Sequence, residues 1–180
     1  MESRPMESRP RESRPVDSLG GMTTGPRRVA EGMPGQLAEL AKQALVQGDL
    51  ATLEQLITQL RGTGEHSELV ERMSSFVALG RGAKAEALRK LQAAAEVEQP
   101  PGQRARARLA YGVALAATGQ PESALLEALT ALARAREAGD LHGEEACARF
   151  LARLSSATGH SSAAVAWANE VKRISEAARG

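Results

Sequence analysis

The sequence predicts an all-α fold: an α-solenoid of about eight helices, paired antiparallel and stacked in succession. Three observations lead there. Of 180 residues, 42% are apolar but only 2% aromatic, so Ala, Leu and Val must fill any core and the helices must pack closely. No Val/Ile/Thr-rich alternating run gives a strand signal. Four turn glycines, Gly48, Gly82, Gly119 and Gly159, stand 34, 37 and 40 residues apart, and the residues at fixed distances from them recur as well.

The N-terminal segment, residues 1–34, opens on MESRPMESRPRESRP, three tandem copies of E-S-R-P. Each Pro biases the residue before it away from helix, and the segment has too few apolar residues to offset the entropy of ordering it. The expectation is a disordered, low-complexity tail. A functional reading is a short linear motif or phosphorylatable Ser3, Ser8 and Ser13 beside Arg; the competing one is a repeat-expanded tail, or an extension upstream of a natural start at Met22 or Met33.

A helical repeat domain is expected over residues 35–180, with order from about Gln36. Leu37, Leu40, Ala41, Ala44 and Leu45 fall on one helical face, and the period resumes after Gly48 with Leu50, Leu53, Ile57 and Leu60. Gly48 suits a left-handed C-cap and Asp49 the N-cap of the next helix. Seven residues before the turn glycines stand Ala41, Ser75, Gly112 and Ala152, all small. Five after come Leu53, Ala87, Ala124 and Ala164; nine after, Ile57, Leu91, Ala128 and Ala168; twelve after, Leu60, Ala94, Ala131 and Val171. The second unit also holds Gly80, and Gly82 gives the better alignment.

Small residues let paired helices approach at the near end of the usual axis separation of about 8–10 Å. Gly112 and Ala124 are expected at such a crossing, with Leu115, Leu125, Leu129 and Leu132 supplying apolar area. One hairpin cannot bury its own faces, so successive hairpins stack. Pro100 and Pro101 end the second unit and can begin the next helix, Pro121 suits a first helical turn, Asp140 an N-cap, and His160, Ser161 and Ser162 the opening of the last helix.

The segments RLAYGVALAATGQPESALLEALTALARAREAGD and RFLARLSSATGHSSAAVAWANEVKRISEAARG resemble the tetratricopeptide repeat family. Gly112, Gly119, Ala124, Ala128 and Ala131 stand at the family's small and turn positions, and LARAREAGD is similar to the linker of its roughly 40-residue variety. Departures are Pro121 where the family often has an aromatic, Ala128 for a larger residue, and the missing terminal Pro in most units. The resemblance covers Gly35 to Arg179 and is weakest in the second unit.

Chemical motifs are sparse. Cys147 is the sole cysteine, which excludes an internal disulfide framework and a multi-cysteine metal site. His66, His142 and His160 lie in different repeats without a second ligand at i+3 or i+4, so no metal site is expected. Phosphate-loop, dinucleotide, zincin and nucleophile-elbow motifs are missing, and Glu144 and Glu145 point to different parts of a helix. We therefore expect no enzyme, no catalytic residue and no cofactor. Formal charge is +1; the tail holds six Arg against five acids, leaving 17 basic and 17 acidic residues beyond it. That balance gives no footprint for nucleic acid. No apolar run suits a membrane span and no secretory h-region opens the chain, so a cytoplasmic protein is expected.

The resemblance implies that the first helices of successive repeats line an inner groove for an extended peptide or a partner helix. Transferred residue by residue, it places Lys42, Arg72, Arg106, Arg149 and Arg153 toward that groove, with Leu109, Val113 and Phe76 as apolar floor. Such a groove suits an acidic segment or a free C-terminus, because Arg pairs bidentately with carboxylates. The competing reading is solvated charge on helix faces. The Asn residues of the family's chaperone-tail clamp have no counterpart; Asn169, the only Asn, is on a second helix. The expected function is a non-catalytic adaptor or scaffold, monomeric or dimeric, that binds a protein or peptide. The alternatives are a secretion chaperone for bacterial export substrates, which predicts a dimer, and a regulatory subunit acting on a kinase or transcription factor.

Overall fold

The computed structural model describes residues 34–179; the E-S-R-P tail, with its expected disorder, lies outside the described residues. These fold into eight helices: α1 (Pro34–Gln47), α2 (Leu50–Thr63), α3 (Ser67–Gly80), α4 (Lys84–Glu96), α5 (Pro101–Ala117), α6 (Pro121–Glu137), α7 (Leu141–Ala157) and α8 (Ser161–Ala177). Each helix packs against its neighbours in sequence, and α5 also touches α3 and α7. Antiparallel pairs therefore stack in order, with the odd-numbered helices as one layer, and among the described residues there is no strand.

The turns within the pairs share one chemistry. Gly48, Gly82, Gly119 and Gly159 all have positive φ, between 72° and 87°, a region glycine enters without steric cost. In each turn the N–H of the following residue donates to a carbonyl five residues back: Asp49 to Ala44, Ala83 to Ala78, Gln120 to Leu115 and His160 to Ser155, at 2.8–3.0 Å. This is the 6→1 bond of a Schellman C-cap, which satisfies an otherwise orphaned carbonyl. Gly80 serves packing instead, ending α3 where a Cβ would lie 2.8 Å from Leu50. The second unit thus turns at Gly82.

Helix starts follow from side chains and prolines. Asp49 accepts from the N–H of Thr52 at 3.1 Å and Asp140 from that of Gly143 at 2.9 Å. Pro101 and Pro121 occupy first helical positions, where a missing N–H costs nothing.

The closest crossing lies in the third pair. A Cβ on Gly112 would sit 3.2 Å from the Ala124 carbonyl and 3.4 Å from the Glu127 Cβ. Ala124, Ala128, Ala131 and Ala135 are all fully buried. Leu132, Cys147 and Leu151 close over Ala128 and Ala131, joining the third pair to the fourth. Leu115 and Leu132 enter the core as expected, but Leu125 and Leu129 do not, each remaining 40% exposed. On a 3.6-residue period they face away from the stripe of alanines that contacts α5 and α7. At the end of the array Ala164 and Val171 are half-buried and Ala168 is exposed, because no further described helix covers α8.

Candidate functional site

The odd-numbered helices border an open cavity of about 360 Å³ lined by Lys42 of α1, Arg72 of α3, Arg106 and Leu109 of α5, and His142 of α7, with Ala105, Gly143, Ala146 and Cys147 as remaining wall. Each odd-numbered helix contributes one basic side chain, and no acidic residue is among the lining. Lys42, Arg72, Arg106 and His142 stand 6, 10, 13 and 17 residues before Gly48, Gly82, Gly119 and Gly159. The steps of three or four residues are one helical turn each. The basic stripe therefore moves one turn further from the turn glycine with every repeat, running diagonally across the stacked helices.

Acids adjoining the cavity hold its cations. Glu68 Oε1 accepts from Arg72 Nη1 at 3.0 Å, one helical turn away on α3. Lys42 pairs with Glu39 on α1. Asp140 acts through both oxygens. Its Oδ1 caps α7 through Gly143, and its Oδ2 accepts from Arg106 Nη2 at 3.0 Å, tying α5 to the start of α7. Burial by itself would raise the pKa of Asp140, but these hydrogen bonds and the Arg106 charge outweigh it and hold the carboxyl below its ordinary range. Gly143 leaves room for it, since a Cβ there would lie 2.8 Å from Asp140 Oδ2 and displace the carboxylate.

Arg72 is the most enclosed of the cations, with a side chain only 20% exposed. Burial lowers its pKa, Glu68 opposes that, and the like charge of Arg106 adds to the lowering. At the wall, burial pushes the Cys147 thiol up to about 12, with Asp140 and Glu144 contributing in the same direction. A thiol so fully protonated at neutral pH is packing material.

Of the residues expected in the groove, the structure brings Lys42, Arg72, Arg106 and Leu109 to one cavity. Val113 is half-buried on α5 outside this lining. Arg149 is exposed and ion-paired to Glu145 one turn away, and Arg153 is exposed further along α7; neither lines the cavity. Phe76 packs against Leu91, Ala110 and Ala114. His142, Gly143 and Ala146 take the place expected of the two arginines. A second, mostly apolar cleft of about 330 Å³ is walled by Leu125 and Leu129 of α6, Leu154 of α7 and Trp167 of α8.

Comparison with protein-family models, curated proteins and solved structures finds no match to this chain.

Proposed function

We propose that this chain is a non-catalytic adaptor of the tetratricopeptide type, which holds a segment of a partner protein along its odd-numbered helices. The observation that carries the reading is the diagonal stripe: four successive repeats each place a basic side chain on a single cavity, over a floor of Leu109, Ala105 and Ala146. A segment crossing that stripe would meet donors at one-turn intervals with apolar contact between them, the pattern that suits peptide recognition. The protonated Cys147 and the separation of His66, His142 and His160 at three different helix starts support a binding role over catalysis. No described helix is long and apolar enough to cross a membrane, and a cytoplasmic setting belongs to the same proposal.

The test is photo-cross-linking in lysate from the full chain, with the reactive residue at position 146, an exposed site on the cavity wall, and at position 172 on α8 as control. The adaptor reading expects one protein to be captured from position 146 and not from position 172. Equal capture from both positions, or none from position 146, rejects it.

A further inference from the structure

We propose that the cavity between the odd-numbered helices is an oxyanion site, and that the group it reads on the partner is a phosphate ester. The inference rests on the adaptor reading and names the chemistry of its central contact. Two guanidiniums, one ammonium and one imidazole approach the cavity from four helices. A planar carboxylate is satisfied by the fork of one guanidinium. Donors arriving from several sides match an anion that carries three acceptor oxygens and close to two charges.

Among the described residues, Arg72 gives one hydrogen bond, through Nη1, and Arg106 one, through Nη2. A guanidinium has five N–H donors, so most of each fork remains for a ligand. Glu68 and Asp140 hold the two forks in place without entering the cavity lining. With Glu39 they balance the formal charge of Lys42, Arg72 and Arg106. Selectivity thus comes from the number of donors and the four helices they come from more than from excess charge. Arg72 and Arg106 lie close enough to repel, and a dianion between them would relieve that repulsion from both sides. The floor of Ala105, Leu109 and Ala146 leaves apolar room for the aliphatic stem of a phosphorylated side chain.

The experiment is calorimetric titration of the full chain with inorganic phosphate and, separately, succinate, at constant ionic strength. The proposal expects saturable phosphate binding, with succinate at least about tenfold weaker. Arg106→Gln should weaken phosphate about tenfold, the size of one lost charge-assisted hydrogen bond, and Arg153→Gln should leave it unchanged. Because Arg106 also secures the cap of α7, Arg106→Lys is the second variant: it keeps a cation for Asp140 but loses the fork, and should also weaken phosphate. Circular dichroism checks that both variants fold. Succinate binding as tightly as phosphate overturns the assignment in favour of acidic side chains. No saturable phosphate binding, or equal binding by Arg106→Gln, overturns it outright. Capture from position 146 without phosphate binding would sink this inference and leave the adaptor standing; phosphate binding without capture would reject the adaptor, and with it the phosphorylated partner, and leave only an oxyanion site.

Discussion

At the scale of single residues, Gly112 sets the closest approach of α5 to α6, since a Cβ there would lie 3.2 Å from the Ala124 carbonyl. Replacing Gly112 with Leu should cost about 2 kcal/mol or more, because the neighbouring atom is backbone and cannot yield by changing rotamer. Unchanged chemical denaturation would reject that crossing. In the sequence, Gly112 was legible by its repeat position. Gly48, Gly82, Gly119 and Gly159 could be read because a left-handed C-cap is a local demand that glycine meets without steric cost, and all four have positive φ. Asp49 and Asp140 could be read as caps for the same reason. The second role of Asp140, its bond to Arg106 across 34 residues, leaves no local trace. Asp140 carries a pH prediction. Its pKa is depressed in the folded state, so its stabilisation is complete above the unfolded value of about 3.9 and is lost as pH falls through the lower folded value. The stability difference between the wild type and Asp140→Asn should therefore shrink as pH drops from about 5 toward 2. A constant difference in urea titrations across that range would show that the carboxylate charge contributes nothing.

At the scale of elements, all eight helices were legible and the outward faces were not. Periodicity states which residues share a face, but which face is covered depends on the neighbouring pair. Leu125 and Leu129 share a face of α6 that no described helix covers, so they wall the apolar cleft beside Trp167 rather than entering the core. Ala168, at the repeat position of Ala128, is exposed for a related reason: Ala128 is buried beneath α7, and α8 has no described successor. Among the residues of α8 only Ile174 is buried, against six in α5. The last helix thus depends on one large side chain and a partly exposed Trp167. Ile174→Ala should destabilise the protein by about 2–4 kcal/mol. Amide hydrogen exchange in the wild type should open α8 at lower free energy than α5 and α6. Equal protection in all three would mean that the array unfolds as a single unit.

At the scale of the whole array, the lining of the cavity was legible for Lys42, Arg72, Arg106 and Leu109 and not for His142. Transfer of a family's groove positions from repeat to repeat assumes a constant distance from the turn, and with that assumption Arg149 and Arg153 sit as far before Gly159 as Arg72 and Lys42 do before Gly82 and Gly48. Stacked helices rotate progressively, and a patch continuous in space slides along each successive helix. Here the slide is one turn per repeat, which brings His142 to the cavity and leaves Arg149 one or two turns beyond it, paired to Glu145. Exposed i,i+4 pairs of that kind stabilise by only about 0.3–0.5 kcal/mol, so both arginines can be changed without disturbing the fold. Arg149→Gln with Arg153→Gln should therefore leave partner capture from position 146 intact. Arg72→Gln with Arg106→Gln should weaken it at least tenfold, since two charge-assisted hydrogen-bonding groups on the stripe, the enclosed Arg72 and the more exposed Arg106, are removed together. Capture yields measured side by side, with helicity checked for both double variants, decide the matter: loss of capture in the α7 pair would place the partner along the far end of that helix and reject the diagonal path.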